Sequence, residues 1–350
     1  MFLLNHWYVA GFAADLTDLP LGRAICGKPI VFFRDEDGVP AAVEDRCIHR
    51  GMPLSQGGTC ERGVLRCPYH GLEFVGSGAC VKIPGQDFVP EAARLAAYPA
   101  AEQDALLWVW PGDPAKADTD AIPRHSQHVD PSWTWSTVTI EIAADWQLLN
   151  DNLLDLTHLG FVHRNTIGGN PNAHSNAVMR TSKTEKGVLV TRWLPDSLPP
   201  PHYRQAGAFA GNIDRWQEID FLPGLIRIWS GGVDVGTGAY EGRREGGVQF
   251  IGMHAVTPAS DTSCTYHFSQ ARNFGLADRA LGEKLHESGL DTLLEDKVIL
   301  EAQQARLLAT PGRPLVDIRS DAGGIQARKI IRRLWEQEHG DTAPARMATA

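Results

Sequence analysis

The chain has 350 residues, 43% hydrophobic and 21% charged, which suits a globular protein of two ordinary domains. Lys plus Arg total 33 against 42 for Asp plus Glu, and the resulting net charge of −9 lacks the basic excess that nucleic-acid binding needs. Six cysteines are too sparse for a disulfide scaffold, the stretch Met1 to Tyr8 lacks the features of a signal peptide, and the longest wholly apolar run, Ala105 to Trp110, is far short of a membrane helix, so a cytoplasmic protein is expected.

Residues 1–112 read as a small all-β domain. Short β-type runs at 30–33 and 106–110 are punctuated by turn signals at Asp35-Glu36-Asp37-Gly38, Gly57-Gly58, Gly76-Ser77-Gly78 and Pro84-Gly85. A linker composition follows at 111–118, and residues 119–340 mix element types. A helix is expected over 144–163, strands over 135–142, 187–194, 216–229, 248–256 and 264–271, and a last helix near 324–338. The helix predicted over 288–309 places Leu290, Leu294, Val298, Ala302 and Ala305 at helical spacing. The tail 341–350 is Ala-, Pro- and Thr-rich and is expected to fray.

Two groups of residues carry chemistry. In the first domain, Arg46-Cys47-Ile48-His49-Arg50-Gly51 is followed, after an interval of 17 residues, by Cys67-Pro68-Tyr69-His70-Gly71. Two Cys and two His fit either a structural zinc or a [2Fe–2S] cluster with imidazoles on one iron. Zinc fingers pair like with like in each half-site. Here each loop offers one Cys and one His, so each can reach both irons, which is what a Rieske centre requires. Cys26, Cys60, Cys80 and Cys264 read as small buried hydrophobes.

The second group lies in Asn152-Leu153-Leu154-Asp155-Leu156-Thr157-His158-Leu159-Gly160-Phe161-Val162-His163. Asp155 and His158, three apart, share a helix face. His158 and His163 are about 140° apart on a regular helix, so a break is needed to aim both at one ion, and Gly160 permits one. Two His and a carboxylate make the facial triad of mononuclear non-haem iron(II) oxygenases. For the third ligand, Asp296 lies among Leu293, Ile299 and Leu300, where an unpaired carboxylate would be costly and a metal would relieve it. Glu295 and Glu301 read as nearer the polar side.

Together these segments resemble the oxygenase (alpha) subunit of Rieske non-haem iron aromatic-ring-hydroxylating oxygenases, in the vanillate O-demethylase and dicamba monooxygenase subgroup. The resemblance begins at Asn5-His6-Trp7-Tyr8, takes in both Cys/His loops with Leu72, and continues through Asn152 to His163 and Glu295-Asp296-Lys297-Val298-Ile299-Leu300-Glu301. It supports Asp296. It implies an α+β architecture: an N-terminal Rieske [2Fe–2S] domain, then a helix-grip catalytic domain with a curved antiparallel sheet around a long helix. It also implies a head-to-tail homotrimer in which the cluster of one subunit serves the iron of its neighbour, with Asp155 bridging His70 and His158 across the boundary. Asn152 matches a position near the iron.

The expected function is that of a terminal monooxygenase component using O2 to O-demethylate or hydroxylate an aromatic acid such as a methoxybenzoate. Cys47, His49, Cys67 and His70 would hold the cluster, and His158, His163 and Asp296 the mononuclear Fe(II). NAD(P)H electrons would arrive through a separate reductase or ferredoxin, since no dinucleotide fingerprint is present. N-demethylation, ring hydroxylation or dihydroxylation are alternatives within the family. A Rieske electron carrier with a non-catalytic ligand-binding domain and a zinc-stabilised binding protein lie outside it. Phe161, Ile228, Trp229, Ile251 and His254 are candidate pocket residues. Arg180, Arg192, Arg204, Arg215 and Arg227 lie in or near the strands, where any could pair a substrate carboxylate and most are expected to face solvent. Arg328, Lys329, Arg332 and Arg333 form a basic helix that reads as a solvated face or a dock for an acidic partner.

Overall fold

The structure is a computed structural model that describes residues 1–340; the tail expected to fray lies outside the described residues. The chain forms two compact units, one of Met1–Arg124 with Thr257–Asp261, the other of His125–Val256 with Thr262 onward. No helix among the described residues is long and apolar enough to cross a membrane.

The first unit is built of short strands, as its turn-rich sequence leads one to expect. A three-stranded sheet joins β1 (Tyr8–Phe12), β11 (Leu106–Val109) and β10 (Ala100–Gln103). A second joins β2 (Leu21–Ile25), β3 (Lys28–Arg34), β4 (Pro40–Glu44) and β9 (Ala97–Tyr98). A third joins β5 (Thr59–Glu61), β6 (Val64–Arg66), β7 (Glu73–Phe74) and β8 (Cys80–Lys82). Between the last two sheets Val31, Phe33, Val43, Leu54, Leu65 and Phe74 form one buried cluster that includes Cys47, Cys67 and Cys80. Burial of this apolar surface, at roughly 25 cal/mol per Å², is the main force holding such short strands together. The stretch 111–118 contains a short 3-10 turn at Pro114–Lys116, capped by the Asp113 side chain.

The second unit is a seven-stranded antiparallel sheet, in the order β12 (Thr134–Ile142), β18 (Ser263–Arg272), β17 (Val248–Ser260), β16 (Leu225–Asp234), β15 (Ile213–Leu222), β14 (Val188–Ser197) and β13 (Val178–Lys183). Among the described residues five α-helices accompany it: α1 (Trp146–Leu154), α2 (Pro171–Ser175), α3 (Pro201–Ala206), the 31-residue α4 (Arg279–Ala309) and α5 (Ala322–His339). The expected architecture of a strand-rich first domain followed by a large antiparallel sheet with helices is therefore borne out.

Three elements differ from expectation. The strand predicted over 216–229 is two, because Pro223-Gly224 closes a tight turn with Gly224 at φ +76°. Helix α4 begins nine residues earlier than predicted, at Arg279, where the Asp278 side chain accepts the Leu281 N–H as N-cap. The helix predicted over 144–163 ends at Leu154. Asp155 leaves helical geometry (φ −119°, ψ 93°), and its side chain caps a separate 3-10 segment, Leu156–Gly160.

Candidate metal centres and the cavity between sheet and helix

The two Cys/His loops of the first unit close in the same way. Cys47 N–H donates to the Met52 carbonyl and Gly51 N–H to the Cys47 carbonyl, both at 2.9 Å. Cys67 N–H likewise donates to Leu72 at 2.8 Å, and Gly71 N–H to Cys67 at 3.0 Å. Both glycines have positive φ, +71° and +74°, which suits a residue without Cβ. The loops bury Cys47 and Cys67 and leave His49 and His70 exposed, with imidazole centroids 4.5 Å apart. Burial raises the Cys47 thiol above its ordinary pKa, and the adjacent Cys67 sulfur adds to the effect. Two thiols packed together and two imidazoles side by side are the donor set a [2Fe–2S] cluster with mixed ligation would use.

In the second unit, His158, His163 and Asp296 bring one donor atom each to within 4.8 Å of one another. The 3-10 geometry of Leu156–Gly160, and its end at Gly160 before His163, make this possible. His158 turns on the 3-10 segment and donates its Nδ1–H to the Asp155 carbonyl at 2.6 Å, leaving Nε2 3.5 Å from Asp296 Oδ1. His163 lies beyond the segment, fully buried, with Nε2 3.0 Å from the same oxygen. The helical segment ends at Gly160, where the sequence allowed a break, and the glycine has a second use. A Cβ there would stand 2.5 Å from Pro171 Cα, so the glycine admits α2 against the segment. Asn152 on α1 donates its Nδ2–H to Asp296 Oδ1 at 3.0 Å. Burial opposes ionisation of Asp296, but hydrogen bonds and charge from the two imidazoles outweigh it and hold the carboxyl well below its usual range. The set of two nitrogens and one carboxylate on one side of a cavity fits Fe(II) with positions left open.

Glu295, read from the sequence as lying toward solvent, is part of this arrangement. It accepts the His163 Nδ1–H at 2.7 Å and the Thr166 hydroxyl at 3.1 Å. Helical periodicity gave no sign of it, because its partner comes from a loop 132 residues away in sequence.

The three donors open onto a cavity walled by Leu153, Leu156, Ile228, Phe250, Phe268 and Leu293, among others. Of the expected pocket residues, Ile228 and His254 line it. Trp229 and Ile251 do not: they are directly paired across β16 and β17, in a register that sends Ile228 and its partner Gly252 to the cavity instead. Phe161 is 68% exposed and borders a separate cleft with Arg192 and His174. His254 Nδ1 pairs with the Tyr266 hydroxyl at 2.5 Å, and burial pushes its pKa down to about 3, so the ring is neutral.

Two of the five arginines expected near the strands face inward. Arg192 is 1% and Arg215 2% exposed, and neither forms an ion pair among the described residues. Arg192 donates to Gln217 Oε1 and the His174 carbonyl, and Arg215 to the carbonyls of Ile167 and Gly168. Arg215 and Gln217 both line the cavity. Arg227 pairs with Asp220, Arg204 bonds the Pro199 carbonyl, and Arg180 lies over Trp193. On α5, Arg328 is bound to Asp151 rather than presented to a partner, while Lys329 and Arg333 border a cleft with Lys183 and Lys186.

Comparison with known proteins agrees with this geometry. Residues 6–99 match the Rieske [2Fe-2S] domain, and residues 142–337 match the vanillate O-demethylase oxygenase C-terminal domain. The chain belongs to the vanillate O-demethylase family of Rieske oxygenases. The toluene-4-sulfonate monooxygenase iron-sulfur subunit of Comamonas testosteroni is 40% identical over 349 residues, covering 98% of this chain and all of that one. The vanillate O-demethylase oxygenase subunit of a Pseudomonas species is 38% identical, over 98% of each chain. A crystal structure of dicamba monooxygenase bound to dicamba superposes with a TM-score of 0.87 at 33% identity, covering 96% of this chain and 98% of that one. Another structure of that enzyme, with non-heme iron and dicamba, matches at 0.79 and 30% identity. This Rieske oxygenase is thus the oxygenase component of a multicomponent monooxygenase. It uses a Rieske cluster and non-haem iron, with electrons delivered by a reductase or ferredoxin.

Proposed function

We propose that this oxygenase component removes the methyl group of a methoxylated aromatic acid such as a methoxybenzoate. The observation that carries the reading is the cavity itself. One apolar chamber is lined by His158, His163 and Asp296 and by buried Arg215, whose guanidinium has no carboxylate partner among the described residues. A buried cation without a counter-ion is costly, and an anionic substrate would supply one. The named relatives act on vanillate, dicamba and toluene-4-sulfonate, each an aromatic ring with an acidic group.

In this reading Cys47, His49, Cys67 and His70, within residues 1–112, hold the cluster. His158, His163 and Asp296, within 119–340, hold iron. When bound, the two centres supply stepwise electron delivery and activation of dioxygen. The chain's own side chains do the rest. Leu153, Leu156, Phe250 and Phe268 keep water from the ring and the reacting methyl. Arg215 attracts the acid group, and neutral His254 can only hydrogen-bond to it. Asn152 steadies the Asp296 carboxylate. Asp155 bridges to the cluster of a neighbouring subunit in a homotrimer, and the assembly works in the cytoplasm.

The test is substrate-stimulated oxygen uptake with a compatible reductase, across methoxybenzoates, N-methyl aromatics, toluenesulfonates and phthalates, with formaldehyde measured against substrate consumed. Near-equal formaldehyde from a methoxybenzoate is expected. Turnover of toluenesulfonate without formaldehyde would instead establish methyl hydroxylation, the reading that the toluenesulfonate relative favours.

A further inference from the structure

His163 is held at both ring nitrogens by successive acids of one helix. Its Nε2 faces Asp296 Oδ1 at 3.0 Å, and its Nδ1 lies 2.7 Å from Glu295 Oε2. The Glu295 oxygen also accepts the Thr166 hydroxyl, and the Thr166 N–H donates to the His163 carbonyl at 3.1 Å. Glu295, His163 and Thr166 therefore form a closed triangle that ties the loop after the 3-10 segment to α4.

The other imidazole is anchored differently. His158 Nδ1–H reaches a backbone carbonyl three residues back, which the local fold supplies. His163 lies past the end of that segment and takes its acceptor from α4. We infer that Glu295 is a positioning residue for the iron site: its bond to Nδ1 fixes the orientation of His163, so that Nε2 is the nitrogen turned toward Asp296 and the cavity. With Nδ1 held by Glu295 and the loop tied down through Thr166, the ring cannot turn Nε2 away from the Asp296 oxygen, and a cation between the two would find both donors in place. Partners of this kind behind a metal-bound histidine hold the ring for the metal. The inference rests on the reading that His158, His163 and Asp296 hold iron.

The experiment compares wild type, Glu295→Gln, Glu295→Ala and Asp296→Ala. Mononuclear Fe(II) is stripped with a chelator, the cluster absorbance confirming that the Rieske centre survives and circular dichroism that the helices do. Fe(II) is then titrated back anaerobically against a competing chelator. Alanine is a good helix former and Glu295 is about one-third exposed, so α4 should tolerate the change. Glu295→Ala should weaken Fe(II) binding roughly 10- to 100-fold. Glu295→Gln should recover most of the loss, because the amide oxygen still accepts from Nδ1. Asp296→Ala should abolish binding. The inference is overturned if Glu295→Ala binds within about threefold of wild type, if its loss is as complete as that of Asp296→Ala, which would make Glu295 a ligand, or if Glu295→Gln is no better than Glu295→Ala. Undiminished binding by Asp296→Ala would overturn the ligand reading itself, a separate result.

Discussion

At the scale of single residues, charge and burial decide which side chain can recognise an acid. His254 was the sequence's candidate, and it does line the cavity. Its imidazole is neutral near pH 7, however, so it offers at most one hydrogen bond and no ionic attraction. Arg215 carries a guanidinium and has no carboxylate partner among the described residues. Arg215→Met should therefore raise KM for an aromatic acid at least tenfold, while the KM of the matching methyl ester changes little; steady-state kinetics on the pair would check this. Equal losses on both would mean that Arg215 serves only to hold the carbonyls of Ile167 and Gly168. Sequence reasoning found Asp296 because an acid among Leu293, Ile299 and Leu300 demands an explanation. It missed Glu295, whose partner is set by tertiary packing. The failure of Trp229 and Ile251 was avoidable in part: side chains alternate along a strand, so Ile228 and Trp229 could not both face one cavity.

At the scale of elements, the segment between α1 and α2 decides the geometry of the iron site. The composition of 144–163 reads as one helix, since nothing in the local pattern forbids Asp155 from helical geometry. Asp155 is instead a cap for both neighbours, a role that Asp fills readily because its side chain competes for nearby backbone N–H groups. The Asp278 cap of α4 and the Pro223-Gly224 turn carried legible local signals; the register of the sheet did not. Gly160 offers the sharpest test at this scale. Its Cα hydrogen points at the Pro171 backbone, which has no flexible end to move aside. Gly160→Ala should cost about 1–3 kcal/mol, as overpacking does, and should separate the 3-10 segment from α2. Thermal unfolding should show the loss. Iron analysis should show about two irons per chain instead of three, the cluster being retained. Three irons at an unchanged melting temperature would mean that α2 is free to shift.

At the scale of the whole molecule, the question is whether one chain is the functional unit. The exposed His49 and His70 imidazoles present the cluster site at a surface of the first unit. Asp155, half-buried, accepts from the Thr157 N–H and hydroxyl and lies within electrostatic reach of Arg192. The proposed homotrimer makes these two surfaces meet across subunits, and subunit mixing can decide it. His70→Ala should abolish the cluster and His158→Ala the iron, each leaving a homotrimer inactive. In a closed head-to-tail ring, every mixed trimer has one junction at which an intact cluster precedes an intact iron site. Random assembly at equal expression makes three-quarters of the trimers mixed, each with one working site in three. Co-expression of the two variants should thus restore about a quarter of wild-type turnover. Adding Asp155→Asn to the iron-competent partner, His70→Ala, should remove most of that activity, while the same change in the His158→Ala partner should have little effect. Transfer within a single chain predicts no restoration at all, and a measured rate indistinguishable from either variant alone would exclude the trimeric relay.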